Sequence, residues 1–171
     1  SVWVHIFHHN APGTNGVFNE GDTFSKGVYL DEHRWFNVNV CDVLTKWELM
    51  FKCKITSSAN EQRLRWIQNA NPMTATYEEV AAAEIERNPL SIYYGSGWGG
   101  LYNKNSSTLL CINNGTESNW YGAVGSWTLW NNGIPGFWSG AGAMTLGYVD
   151  LYVRIDNQDH VVVPCGKTTG S

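Results

Sequence analysis

The stretch KWELMFKCKI, from Lys46 to Ile55, decides the fold class of this chain. Its alternate side chains are apolar and share one face of an extended strand: Trp47, Leu49, Phe51, Cys53 and Ile55. Glu48, Lys52 and Lys54 fall on the other face, with Met50 as the exception. A strand with one apolar and one charged face is typical of an antiparallel sheet that is half exposed to water. The stretch therefore predicts an antiparallel β-protein.

Further strands are predicted along the whole chain, separated by residues that favour turns. They are Val2–Phe7, Trp35–Val40, Leu90–Tyr94, Thr108–Ile112, Tyr121–Val124, Trp127–Trp130, Tyr148–Ile155 and Val161–Val163. A length of 171 residues suits one domain with a real core. We expect a single β-rich domain over residues 1–171, mainly all-β, arranged as an antiparallel β-sandwich with at most one or two helices.

One segment, Thr76 to Arg87, has the features of a helix. Thr76 is a good N-cap, and Glu79 stands three residues later, as in a capping box. Three alanines follow, and Asn88-Pro89 ends the segment. An alternative interpretation makes Ala83 to Ile85 a strand.

Composition and charge exclude several classes of partner. Apolar residues make up 43% of the chain and charged residues only 15%, with a net charge of −4 and no basic stripe. Nucleic acids and anionic membrane surfaces are therefore poor candidate partners. No run of about 18 apolar residues occurs, so we expect no membrane insertion.

Cysteines and glycosylation sequons favour a secreted protein. Ser1 leads directly into VWVHIF without a basic leader, which suggests either a mature, processed chain or a cytosolic one. Four cysteines allow two disulfides: Cys41 with Cys53 and Cys111 with Cys165 is one of three pairings, and buried free thiols are the alternative. Sequons begin at Asn105 and Asn114. We predict an extracellular glycoprotein.

The segment Tyr93 to Tyr152 is the main candidate for ligand binding. It holds eleven of the seventeen Trp and Tyr residues and twelve of the eighteen glycines. Glycine turns can hold aromatic rings outward, where they stack on the flat face of a sugar. The candidate ligand-binding residues of this segment are Trp98, Asn119, Trp120, Tyr121 and Trp138. The alternative is that most of these rings are core, as expected for Trp127 and Trp130.

Histidines near the amino terminus form a second candidate group. His8 and His9 are candidate hydrogen-bonding residues of a ligand pocket, and histidines on the surface of a loop are the alternative. His5 and His9 could share a strand face, and a metal site there would need further ligands such as Glu20 or Asp22, neither of which stands at a diagnostic spacing. No cofactor is expected, although calcium is an open alternative. No G-x-S-x-G, H-E-x-x-H or P-loop motif occurs, so we do not expect an enzyme.

Several short motifs resemble those of a loosely characterised group of secreted invertebrate extracellular modules. They are His8-His9-Asn10 with Gly16-Val17-Phe18, Trp66-Ile67-Gln68-Asn69-Ala70-Asn71-Pro72, Trp98-Gly99-Gly100-Leu101, Asn119-Trp120-Tyr121-Gly122-Ala123-Val124-Gly125, Ile134-Pro135-Gly136 and the closing VDLYVRI. The resemblance implies an adhesive or lectin-like module and supplies no ligand residues. The Trp and Gly content is also similar to that of fibrinogen-related lectins, whose acidic calcium motif is not evident here.

The sequence therefore favours a secreted lectin-like protein that binds glycans or glycoproteins. Recognition would combine stacking on exposed Trp rings with hydrogen bonds from Asn and backbone groups. Single sites of this kind are weak, so a homo-oligomer with several sites is expected. Two alternatives stay open: a structural or matrix protein that self-assembles through its aromatic residues, and a protein that binds an apolar small molecule or chromophore.

Overall fold

A computed structural model describes residues 1–10, 33–35, 37–55, 61–88, 91–92, 98–104, 108–113, 116–117, 124, 137–138, 146–163 and 168–170. The strands in these ranges are β1 (Val2–Asn10), β2 (His33–Trp35), β3 (Trp47–Ile55), β4 (Glu61–Gln68), β5 (Ala82–Asn88), β6 (Ser91–Ile92), β7 (Trp98–Lys104), β8 (Thr108–Asn113), β9 (Thr116–Glu117), β10 (Phe137–Trp138), β11 (Leu146–Arg154) and β12 (Thr168–Gly170). The same ranges contain the 3-10 helices Val38–Val43 and Tyr77–Glu79. No helix in this part of the chain is long and apolar enough to cross a membrane.

The strands form one large and one small antiparallel sheet, with a separate β6–β10 pair. The large sheet has the order β12-β1-β11-β3-β4-β5, and β2 pairs with β1. The small sheet has the order β7-β8-β9. Every strand pairing among the described residues is antiparallel. The predicted fold class, mainly antiparallel all-β with very few helices, is confirmed.

The core lies between the small sheet and one face of the large sheet, which we call the inner face. Alternate residues of β3 and β4 point inward, as the pattern of Lys46–Ile55 predicts, and their side chains are buried. The Trp98 ring of β7 lies 5.0 Å from the Trp66 ring and 6.0 Å from the Phe51 ring, both at steep angles. Edge-to-face contacts of this kind are favourable beyond the area they bury. These rings bind the two sheets together.

A buried glutamine connects the two sheets by hydrogen bonds. Gln68, at the end of β4, accepts hydrogen bonds at Oε1 from the Trp66 indole and the Leu101 amide, at 2.9 and 3.0 Å. Its Nε2 donates to the carbonyls of Ala70 and Leu101, at 2.8 and 3.0 Å. All four bonds of the amide are therefore made, although Gln68 is only 2% exposed. A buried polar group satisfied in this way fixes one arrangement of its neighbours.

Two of the short sequence motifs meet at this glutamine. Gly100 precedes Leu101 and has φ of +97°, a conformation that strongly favours glycine. A Cβ at Gly100 would also lie 2.9 Å from Gln68 Oε1. The Trp98-Gly99-Gly100-Leu101 motif is thus shaped to bring the β7 backbone against the Trp66-x-Gln68 pair of β4. Both motifs therefore have a structural role, which is to pack β7 against β4.

The predicted helix from Thr76 to Arg87 is wrong, and the alternative strand is correct. The capping box between Thr76 and Glu79 forms, but it opens only the 3-10 turn Tyr77–Glu79. The side-chain oxygen of Asn69 then accepts a hydrogen bond from the backbone amide of Ala81 at 2.7 Å. The backbone amide of Asn69 donates to the Ala81 carbonyl at 3.1 Å. These bonds close a connection that pairs β5 with β4. Strand pairing therefore outweighs the helix propensity of the alanines.

The strand predicted at Trp35–Val40 is only partly present. β2 ends at Trp35, and Asn37 has a left-handed φ of 54° that turns the chain into the helix Val38–Val43. The short strand expected at Val161–Val163 is irregular in structure. The strand expected at Trp127–Trp130 lies outside the described residues.

The predicted disulfide between Cys41 and Cys53 is not formed. Cys41 lies in the helix Val38–Val43 and Cys53 on β3, and both are buried free thiols. Burial, together with the nearby Asp42 charge, raises the pKa of Cys41 to about 12. Burial is also the main cause of the raised pKa of Cys53. The side chain of Cys111, on β8, and the whole of Cys165 lie outside the described residues.

Replacement of Gln68 by leucine should lower the free energy of unfolding by about 2–4 kcal/mol, because it leaves the Trp66 indole and the Leu101 amide buried without partners. Urea unfolding followed by tryptophan fluorescence measures this change. Asn39→Ala removes an exposed amide and should change stability by less than about 0.5 kcal/mol. A Gln68→Leu protein as stable as the Asn39→Ala protein would contradict the role of this amide.

Candidate functional site

Trp98, the first predicted sugar-stacking residue, is part of the core. Its side chain is only 4% exposed, and its ring packs against Phe51 and Trp66. The expectation that the adjacent glycines hold this ring outward is wrong, because Gly99 and Gly100 allow close sheet packing instead. A Cβ at Gly99 would overlap Ile112 of β8.

The other predicted site residues are only partly described. Trp138 lies on β10, paired with Ser91, and His9 lies on β1, paired with Val149. Outside the described residues lie Asn119, Trp120, Tyr121, the sequon residues Asn105 and Asn114, and the suggested metal ligands Glu20 and Asp22. Only His8 is placed with its side chain in a polar cluster.

The outer face of the large sheet, opposite the inner face, carries this polar cluster. Asp150 of β11 pairs directly with His8 of β1 on one side and with Lys52 of β3 on the other. The neighbouring row joins His5, Tyr152 and Met50. Directly paired residues of an antiparallel ladder point to the same side of the sheet. The strand register therefore places two imidazoles, a carboxylate and a lysine together on the outer face.

A β-bulge explains why His5 and His8 share this face. His5 pairs with Tyr152 and Phe7 pairs with Leu151, so Ile6 is an extra residue with no partner in the ladder. An extra residue reverses the alternation of side chains beyond it. His8 therefore points outward with His5. The side chain of His9, suggested by the sequence to share a face with His5, lies outside the described residues.

The carboxylate of Asp150 joins the two imidazoles. Its Oδ1 lies 2.7 Å from His5 Nε2 and 2.6 Å from His8 Nδ1. The side chains of His5, His8 and Asp150 are 17%, 27% and 14% exposed, so water and small solutes still reach them. We call these three residues the His-Asp cluster.

The ring of Tyr152 packs against the His-Asp cluster. Its ring stacks on the His5 ring with centroids 4.6 Å apart and planes 16° from parallel. Lys52 Nζ lies 5.2 Å from the centroid of the same ring, within reach of a cation–π attraction. Burial, with the Asp150 charge as the next cause, raises the pKa of Tyr152 to about 12. The phenol is therefore neutral at physiological pH and acts as a fixed support.

Electrostatics keep Asp150 ionised. Burial alone would raise its pKa, but hydrogen bonds and charge interactions with His5 and His8 outweigh burial and hold the pKa below its ordinary value. The carboxylate therefore accepts hydrogen bonds, and its Oδ1 is already bonded to both imidazoles. No hydrogen bond to Oδ2 is made within the described part of the chain.

The three ligating atoms also lie close enough together to contact one metal ion. His5 Nε2, His8 Nδ1 and an Asp150 oxygen are all within 4.8 Å of one another, the only such group among the described residues. Two imidazoles and a carboxylate are a donor set typical of first-row transition ions. The cluster can thus accept hydrogen bonds, donate them, or coordinate a cation.

A concavity of about 620 Å³ lies beside the segment Ile155 to Val163. Its polar side chains are already bonded within the protein. Asp156 accepts from Arg154 and from the Val2 amide, and Gln158 accepts from the backbone of Thr45. This concavity therefore lacks a converging set of available polar groups, and the His-Asp cluster is the better candidate site.

Comparison with known proteins gives no independent indication of function, because no family model and no curated protein matches this chain. The functional assignment therefore depends on the geometry of the His-Asp cluster.

Sequence reasoning did not identify Asp150 as a site residue. The one available signal was its position in VDLYVRI, where Asp150 interrupts an apolar strand with an outward acid. The partner strand, about 140 residues away, could not be deduced from that pattern. His5 was noted only as a companion of His9, because the bulge at Ile6 has no signature in the sequence.

Acidification should remove the stabilisation that Asp150 provides. A carboxyl whose pKa is lower in the folded than in the unfolded state stabilises the fold above the unfolded value, here 3.8, and this contribution disappears as pH falls through the folded pKa. Urea unfolding between pH 6 and pH 2.5 should therefore show a steeper loss of stability below about pH 4 in the native protein than in Asp150→Asn. The control is Asp159→Asn, whose native side chain is 79% exposed. Parallel curves for the native and Asp150→Asn proteins would contradict the assignment.

Proposed function

We propose that this protein is a secreted, non-catalytic glycan-binding module whose ligand lies on the outer face of the large sheet. The observation that carries the proposal is the His-Asp cluster, a partly exposed, ionised carboxylate held between two imidazoles on the outer face. Secretion is supported by the composition and the two sequons. The cysteines give it no support, because Cys41 and Cys53 are free thiols.

The groups around Asp150 match the hydrogen-bonding needs of a sugar. A hydroxyl both donates and accepts, so a site needs acceptors and donors side by side. Asp150 Oδ2 is the acceptor, and the imidazole of His8, bonded to Asp150 through Nδ1, can donate or accept at Nε2 according to tautomer. Lys52 supplies a donor one strand away and has no ion pair with any described carboxylate. Its charge favours a glycan that carries an acidic group.

Ring stacking has a smaller part in this proposal than the sequence suggested. Trp98 is in the core, and the Tyr152 ring already contacts His5 and Lys52. Tyr152 is only 8% exposed. On the described surface the ligand would therefore be held mainly by hydrogen bonds and charge.

A glycan array followed by titration calorimetry tests the proposal. Neutral and acidic glycans should be compared, and acidic glycans should bind more strongly. Asp150→Asn should weaken binding of the best ligand by roughly tenfold to a hundredfold, since a hydrogen bond to a charged group is worth about 1.5–3 kcal/mol.

Two controls make the result specific. Asp159→Asn removes an exposed aspartate of the same chain that pairs with Lys46, and it should bind like the native protein. Lys52→Gln should reduce the preference for acidic glycans and retain binding of neutral ones. The absence of any glycan ligand at millimolar concentration would overturn the proposal, as would equal binding by the native and Asp150→Asn proteins.

A further inference from the structure

We propose that His5, His8 and Asp150 bind a divalent first-row transition ion of the Zn²⁺ class. This inference concerns the ion alone and holds whether or not the same face binds a glycan. It rests on the convergence of two imidazole nitrogens and one carboxylate oxygen within 4.8 Å of one another.

The donor set selects the class of ion. Zn²⁺ and its neighbours in the first transition row bind imidazole nitrogen well and accept three protein ligands with a fourth position open. Ca²⁺ instead takes about six to eight oxygen ligands. With one carboxylate and two nitrogens, the His-Asp cluster is a poor calcium site. This chemistry favours a transition ion over the calcium that the sequence left open.

The three ligand atoms must change their spacing to admit the ion. The carboxylate oxygen lies 2.7 and 2.6 Å from the two imidazole nitrogens, which is hydrogen-bond spacing. Around a tetrahedral Zn²⁺ with bonds of about 2.0 Å, ligand atoms are about 3.3 Å apart. Each oxygen–nitrogen pair must therefore separate by roughly 0.6 Å, and the two nitrogens, which lie within 4.8 Å of each other, must also take a spacing of about 3.3 Å. Rotation of these partly exposed side chains accommodates the change. Both nitrogens already lie beside the carboxylate oxygen, so the three ligand atoms are neighbours before the ion enters.

The backbone beneath these ligands is well fixed. His8 and Asp150 are paired across β1 and β11, and the bulge at Ile6 brings His5 to the same side. The stack of His5 on Tyr152 also limits rotation of one ligand ring. Ligands on paired strands keep their relative positions better than ligands on loops.

The cluster leaves part of the coordination sphere facing solvent. Its three side chains are 14–27% exposed, and each contributes one ligand atom. Three protein ligands and an open position are the arrangement in which Zn²⁺ keeps a water or takes an exogenous oxygen ligand. The bound ion would therefore carry a water molecule or an oxygen of an external carboxylate or hydroxyl.

Calorimetric titration of the full chain, stripped of metal by a chelator, tests the inference. Zn²⁺ should bind with one-to-one stoichiometry at micromolar concentration, and Ca²⁺ should not compete. Co²⁺ should give the visible absorption bands of a low-coordinate ion with nitrogen ligands. Asp150→Asn and His8→Gln should each weaken Zn²⁺ binding by roughly tenfold or more.

His160→Gln and Asp159→Asn are the matched controls, because His160 and Asp159 are exposed and lie outside the cluster. Both should bind Zn²⁺ like the native protein. Circular dichroism shows whether each variant is folded, and His8→Gln, at the most exposed ligand, serves if Asp150→Asn is unfolded.

No saturable Zn²⁺ binding at millimolar concentration would overturn the inference, as would unchanged binding by a folded His8→Gln protein. The titration contains no sugar, so its failure leaves the glycan proposal standing. Equally, a negative glycan array leaves this test unaffected.

Discussion

The side-chain amide of Gln68 is the interaction on which the arrangement of the two sheets depends. It makes four hydrogen bonds while nearly fully buried, two of them to the backbone of Leu101 in the opposite sheet. Gly100 is required beside it, since any larger residue would meet the amide oxygen. The inner face of the large sheet is thereby packed against the small sheet. No ligand site is therefore expected on this inner face.

Much of this fold is predictable from residue patterns. The alternation in Lys46–Ile55 gave the strand, the buried face and the antiparallel class correctly. The segment after Thr76 shows the limit, because its capping box and alanines favour a helix while Asn69 pairs with Ala81 and draws the chain into a strand. Local propensity is about 1 kcal/mol per residue at most for such residues, so tertiary pairing decides.

The candidate site was less predictable than the fold. The Trp and Gly motifs attract attention in the sequence, yet in Trp98-Gly99-Gly100-Leu101 they serve close packing between sheets. The His-Asp cluster depends instead on the register of β1 with β11 and on one bulge at Ile6. Strand register between distant segments, and a bulge within one strand, follow from the whole sheet and leave no local signature. His8 was identified as a site residue, but Asp150 was not.

The central claim is that binding occurs at the imidazoles of the outer face and that the buried indoles serve only the fold. Two-dimensional NMR of the full chain, titrated with its best glycan ligand, tests this claim most directly. The account predicts that the ring signals of His5 and His8 shift on binding while the indole signals of Trp66 and Trp98 stay in place. Shifts at Trp66 or Trp98 with unchanged His5 and His8 signals would contradict it.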